Sequence, residues 1–238
     1  MHVFDLGNTR GHQARWTNGR LSSAGPVSYD DLFKLSVEGD IAYATVQLKM
    51  GARFDRAFDA RRMGRDFPAA IPNRTLRPER VGADRLANAV AAWARARRAC
   101  VVVDVGTAVT FDVVNAKGEF VGGMIAPGPA LQARSLHEHT SLLPEVKIDP
   151  SSPRDRRAIG RFTEEAIKGG IHAGLVGLVR EGLSRVRREL GKRPTSFATG
   201  GGGALLRGCV DHVVDWLTLE GIAISAQGYL RDSSDRLA

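Results

Sequence analysis

The stretch Cys100-Val101-Val102-Val103-Asp104-Val105-Gly106-Thr107-Ala108-Val109-Thr110-Phe111-Asp112-Val113-Val114 decides the fold. An apolar, β-favouring run enters an Asp-x-Gly turn and a second β-rich run, Val109 to Val114, leaves it, so the stretch reads as strand, tight turn, returning strand. A turn at Asn115-Ala116-Lys117-Gly118 and a further extended run to Gly122-Gly123-Met124-Ile125 complete a predicted three-stranded meander. The same signature opens the chain, where Val3 and Phe4 lead into Asp5-Leu6-Gly7-Asn8-Thr9, 99 residues before Asp104. A strand-and-hairpin core that occurs twice, each copy followed by helical sequence, predicts an α/β fold of two related halves, 1–99 and 100–238.

Between the two signatures, Ile41 to Val46 reads as a buried strand, and Gly82 to Arg98 as a helix with Leu86, Val90 and Trp93 at spacings of four and three. Residues 144–161, rich in Pro, Ser and Arg, read as a loop. A long helix is predicted from about Thr163 to Leu190, with Ile167, Ile171, Leu175, Leu178, Val179 and Leu183 on its apolar side and Gly191 as its stop. Its interior glycines 169, 170, 174, 177 and 182 each weaken it by about 1 kcal/mol relative to Ala. That cost predicts close packing there, against a second helix or a second subunit. A short strand from Thr195 to Ala198, the glycine run Gly200 to Gly203 and a helix start at Ala204-Leu205-Leu206 follow, and the polar tail after Leu230 is expected to fray.

The composition fits a globular domain: 43% hydrophobic and 25% charged residues exclude disorder and coiled coil for the 238-residue chain. No apolar run approaches the roughly 18–20 residues of a membrane helix, and the N-terminus lacks a signal peptide's basic start and long apolar stretch, so a soluble, cytoplasmic protein is expected. Cys100 and Cys209 form no Cys-x-x-Cys pair and read as small buried hydrophobes. The formal net charge is +8, and 28 of the 34 basic residues are Arg. They are spread along helices, as at Arg95, Arg97, Arg98 and Arg180, Arg185, Arg187, Arg188, and aromatic residues make up 6%. Solvated helix faces account for this pattern better than a nucleic-acid groove does.

Several catalytic motifs are excluded. There is no Gly-x-x-x-x-Gly-Lys-Ser/Thr and no Gly-x-Ser-x-Gly, and the run at 200–203 lacks the last glycine of Gly-x-Gly-x-x-Gly. His137 and His139, two apart, fall on different faces of a helix and not together on a metal. What remains is Asp and Gly at strand ends. Asp5 and Asp104 are each followed by Gly and a hydroxyl or amide residue, which can aim backbone N–H groups at phosphate oxygens while a carboxylate holds a cation. One such turn reads equally as ordinary turn chemistry. Two at matched positions, with Thr199-Gly200-Gly201-Gly202-Gly203 as a third loop of close backbone approach, point to a split phosphate-binding cleft. Asp84 and Thr163 stand at helix starts, where capping explains them as well as catalysis does. Beside Asp84, Arg85 offers a cation able to bind a carboxylate or phosphate.

Six segments in this order resemble the type III pantothenate kinases: Asp5-Leu6-Gly7-Asn8-Thr9, Gly82-Ala83-Asp84-Arg85, Asp104-Val105-Gly106-Thr107-Ala108-Val109-Thr110, Gly122-Gly123-Met124-Ile125-Ala126-Pro127-Gly128, Thr163-Glu164-Glu165-Ala166-Ile167 and Thr199-Gly200-Gly201. The resemblance covers residues 3 to about 225. It implies an actin-like ATPase fold of two ribonuclease-H-like halves with a cleft between them, and ATP-dependent phosphorylation of pantothenate, the first step of coenzyme A biosynthesis. Carried over by motif, Asp5, Leu6, Gly7, Asn8, Thr9, Arg10, Gly11, His12 and Thr107 would contact ATP, with Asp5 serving Mg²⁺. Asp84 would be the proton acceptor, Gly82, Ala83, Asp84, Arg85 and Thr163 would hold pantothenate, and Asp104 would bind a monovalent cation, potassium or ammonium. The family is dimeric, so a homodimer is expected. The family turn often carries Lys where this chain has His12, and a Tyr common shortly before Gly-x-Asp-Arg has no counterpart in 73–81. The alternative is a nucleotide-binding regulator that keeps the kinase fold without turnover.

Overall fold

The computed structural model describes residues 1–149 and 157–235, which fall into two compact units. The first comprises residues 1–98, 114–121 and the segment from Trp216; the second comprises 99–113 and 122–215.

The first unit is built on β1 (His2–Leu6), β2 (Gly11–Thr17), β3 (Arg20–Val27), β4 (Ile41–Thr45) and β5 (Ala60–Arg62), in the order β3-β2-β1-β4-β5. β1 pairs antiparallel with β2 and parallel with β4. Period-two alternation divides its side chains between two cores. Phe4 and Leu6 join Tyr43, Leu32 of α1 (Tyr29–Leu32) and Phe54 of α2 (Leu48–Ala57) on one face. Val3, Ala14, Trp16, Ala42 and Ala44 face the other, under α3 (Ala83–Ala96) and α6 (Leu217–Asp235). These two helices lie backbone to backbone: a Cβ on Gly221 would sit 1.8 Å from the carbonyl oxygen of Ala87. Polar bonds tie α6 down, with Trp16 Nε1 donating to Gln227 Oε1 (2.9 Å) and Thr218 Oγ1 to Asn88 Oδ1 (2.9 Å).

The sheet of β6 (Cys100–Val105), β7 (Ala108–Val114), β8 (Phe120–Pro127), β9 (Thr195–Thr199) and β10 (His212–Val213) has the order β8-β7-β6-β9-β10. That is the order of the first sheet with every strand advanced by five, so the duplication expected from the two Asp-x-Gly signatures is a duplication of topology. Each sheet has the ribonuclease-H-like pattern, and the chain has the actin-like α/β fold. Val101, Val103, Val105, Val109, Phe111 and Val113 pack against Leu175, Val179 and Val186 of α5 (Thr163–Leu190), which α4 (Pro129–Glu138) joins through Ala133, Ile167 and Ile171.

The predicted long helix ends as expected, on Gly191 in the left-handed region (φ 67°). Its glycines divide into two groups. At Gly182 a Cβ would lie 2.6 Å from the Phe111 ring, and at Gly169 it would lie 2.1 Å from the Arg157 carbonyl oxygen. Among the described residues Gly170, Gly174 and Gly177 have nothing within 4 Å of that point, so packing against them does not explain these three. The expected loop at 144–161 has no helix or strand in its described part, and 150–156 lie outside the described residues. Where fraying was expected after Leu230, α6 continues to Asp235, and 236–238 lie outside the described residues. Cys100 is buried, whereas Cys209 is partly exposed.

Candidate active site

Asp5, near the C-terminal end of β1, shares the face of Val3, the side covered by α3 and α6. Its side chain is 14% exposed. His12, its cross-strand partner, brings Nδ1 to 3.4 Å from Asp5 Oδ2 and stacks at a tilt on Trp216, with ring centroids 5.4 Å apart. Trp216 adopts a left-handed backbone (φ 60°) just before α6, uncommon for a bulky side chain.

The turn from Leu6 to Gly11 joins these two residues, with Asn8, Thr9 and Arg10 exposed. Its carbonyl groups are tied from one side. Tyr29 Oη donates to the Gly7 carbonyl, Gln47 Nε2 donates to Gly7 (2.6 Å) and Asn8 (2.9 Å), and Thr45 Oγ1 donates to Leu6 (3.1 Å). Burial, then the negative charge of Asp5, pushes the Tyr29 phenol up to about 12, which keeps it a donor at neutral pH.

Asp84 lies in the first turn of α3 but does not cap it. The cap position is Gly82, which has no side chain, and Asp84 Oδ1 instead accepts from the Arg85 backbone N–H at 2.8 Å. The carboxylate folds over Gly82, where a Cβ would lie 2.4 Å from Oδ1. Burial holds the carboxyl above the ordinary Asp range; the Arg85 N–H opposes this, and the nearby negative charge of Asp5 adds to it. The Arg85 guanidinium sits 5.7 Å from the Phe120 ring centroid.

In the second unit, Asp104 pairs in register with Thr199 of β9. Gly200 (φ 81°) presses its α carbon on that carboxylate: a Cβ would lie 2.3 Å from Asp104 Oδ1 and 2.7 Å from the Val105 carbonyl oxygen. The Gly202 N–H donates to the same carbonyl at 2.9 Å. The glycine run is therefore a packing device and not a linker. Thr107 is exposed at the hairpin tip, its carbonyl accepting from the Gly128 N–H at 2.9 Å. Thr163 is exposed as the first residue of α5, and the cap position falls on Phe162.

Asp5, the 6–12 turn, Gly82, Ala83, Asp84 and Arg85 thus belong to the first unit, and Asp104, Thr107 and Thr163 to the second. Tyr29, Gln47 and Trp216 were not foreseen, because their roles rest on pairings remote in sequence. Among the described residues no three His, Cys, Asp or Glu side chains form a metal-binding group. A cavity of about 460 Å³ lies elsewhere, among Asp55 to Ala60 and Arg65, where Arg65 pairs with Asp55 and Asp66; it contains none of the expected site residues.

Residues 36–185 match the family model of the type III pantothenate kinases. The chain belongs to that family. The type III pantothenate kinase of Akkermansia muciniphila is 50% identical over 152 residues, covering 63% of this chain and 61% of that protein. That of Dehalococcoides mccartyi is 40% identical over 168 residues, covering 69% and 64%. The chain thus spans about three-fifths of the length of these curated relatives. A solved structure from Campylobacter jejuni, described as a Baf family transcriptional activator, aligns with a TM-score of 0.69 over 97% of this chain and 100% of that one, at 19% identity, a likeness of fold alone. In this member of the type III pantothenate kinase family, the matched range holds Gly82 to Arg85, Asp104, Thr107 and Thr163, and the Asp5 turn precedes it.

Proposed function

We propose that the chain transfers the γ-phosphoryl group of ATP to pantothenate, giving 4'-phosphopantothenate, the first step toward coenzyme A. The observation that carries this reading is Asp84, a half-buried carboxylate outside the cap position of α3, whose proton affinity is raised by burial and by Asp5 against the Arg85 N–H. A carboxylate with raised proton affinity is a better general base near neutral pH than an exposed one.

Asp84 orients the pantothenate hydroxyl and takes its proton as the oxygen attacks in line, and Arg85, Gly82 and Ala83 hold the acceptor. The turn Leu6, Gly7, Asn8, Thr9, Arg10, Gly11 and His12 receives the phosphates. In the second unit Thr107 is assigned to ATP and Thr163 to pantothenate. Asp5 fits Mg²⁺, being a hard oxygen donor with part of its carboxylate open to solvent at a strand end. Asp104 is assigned to a monovalent cation, potassium or ammonium, as a hard oxygen donor near the C-terminal end of β6. Bound cations neutralise charge on the transferring group, the main requirement of phosphoryl transfer besides positioning.

The working form is a homodimer. Gly170, Gly174 and Gly177 share one exposed side of α5, at spacings of four and three. Each weakens the helix by about 1 kcal/mol, and a second copy lying against the bare backbone would account for them. No described helix is long and apolar enough to cross a membrane, and we place the enzyme in the cytoplasm. Pantothenate-dependent release of ADP, stimulated by potassium or ammonium, tests the reading; ADP release indifferent to pantothenate contradicts it.

A further inference from the structure

Tyr29 and Gln47 lie far in sequence from the turn they touch, yet both converge on one peptide oxygen. The Gly7 carbonyl accepts from Tyr29 Oη and from Gln47 Nε2 (2.6 Å), and the same amide nitrogen reaches the next carbonyl, Asn8, at 2.9 Å. Gln47 is held in turn from its own backbone, whose N–H donates to Thr45 Oγ1 at 2.9 Å while that hydroxyl donates to the Leu6 carbonyl. Two consecutive peptide planes of an exposed turn are therefore fixed in orientation by side chains of the first unit.

The consequence follows from the planar trans peptide, in which N–H and C=O point in opposite directions. With the Gly7 and Asn8 carbonyls turned toward Tyr29 and Gln47, the N–H groups of Asn8 and Thr9 are turned to the opposite side. Successive N–H groups presented on one side of a turn form a concave anion site. We infer that Tyr29 and Gln47 are positioning residues for ATP: they hold the carbonyl side of the turn so that its N–H side meets a phosphate group. The inference rests on the ATP reading of this turn. The phenol, with its proton affinity pushed up to about 12, stays a donor across the working pH range.

The test uses the full chain and Mg·ATP as the probe, with Tyr29→Phe, Gln47→Met and the double variant. Calorimetric binding and steady-state kinetics should show Kd and KM for ATP raised about 5–10-fold in Tyr29→Phe, which loses one hydrogen bond to the turn, and at least as much in Gln47→Met, which loses two. The double variant should lose at least the product of the two, about 25–100-fold, while KM for pantothenate and the unfolding midpoint stay near wild type. A merely structural role would lower the active fraction, and so kcat, without moving KM for ATP. Folded variants that bind Mg·ATP like wild type, or that lose only kcat, overturn the inference while the ATP reading stands. Wild-type protein that does not bind Mg·ATP overturns both.

Discussion

Asp84→Asn separates a catalytic carboxylate from a structural one. The amide keeps an oxygen that can accept from the Arg85 N–H, now 2.8 Å from Oδ1, so the local geometry of α3 survives. The change removes the ability to take a proton. A positioned general base contributes about 10²–10⁴-fold, equivalent to about 3–5 kcal/mol in the barrier, so turnover should fall by that factor with little change in KM for ATP. Stability should move the other way. Because the folded protein raises the Asp84 carboxyl above its ordinary value, the folded state holds this proton more tightly than the unfolded state. Stability from this group is complete below the unfolded value of about 3.9 and is lost as pH rises through the folded one. At neutral pH the ionised carboxylate therefore opposes folding, and its replacement by Asn should leave the thermal midpoint unchanged or higher. For the same reason the acid limb of wild-type kcat/KM should fall at a higher pH than an ordinary Asp would give. The assay is ADP release against pH, with scanning calorimetry on both proteins. Activity within about threefold of wild type, or a large drop in midpoint with the activity loss, would make Asp84 a structural residue and not the proton acceptor.

Gly200→Ala places a Cβ 2.3 Å from Asp104 Oδ1 at φ 81°, and should destabilise the protein by about 1–3 kcal/mol in urea melts and raise the potassium or ammonium needed for half-maximal activity. Gly182→Ala, whose Cβ would meet the Phe111 ring at 2.6 Å, should also destabilise, by about 1–3 kcal/mol. Gly174→Ala, with open space around it, should strengthen α5 in the monomer by up to about 1 kcal/mol yet weaken dimerisation in sedimentation experiments.

Local chemistry was legible where neighbours in sequence are neighbours in space. The hairpin at 100–114 and α5 with its Gly191 stop could be read from periodicity and turn residues. The twofold topology followed from two Asp-x-Gly turns, because each ends the strand around which its sheet is ordered. Capping at Asp84 and Thr163 could not be decided in sequence, since Gly82 and Phe162, which occupy the cap positions, carry no capping side chain. The helices α2 and α6 and the donors Tyr29 and Gln47 were not legible. Their positions depend on contacts across 22 to 211 residues, such as Tyr29 on Gly7 and Trp16 on Gln227, and no local pattern encodes those.

The most direct measurement of the central claim is transfer of radiolabelled γ-phosphate from Mg·ATP to pantothenate by the purified chain, with potassium or ammonium present. Label is expected on the 4'-oxygen of pantothenate in wild type and almost none in Asp84→Asn. A well-folded wild-type protein that binds Mg·ATP and transfers no label would contradict it.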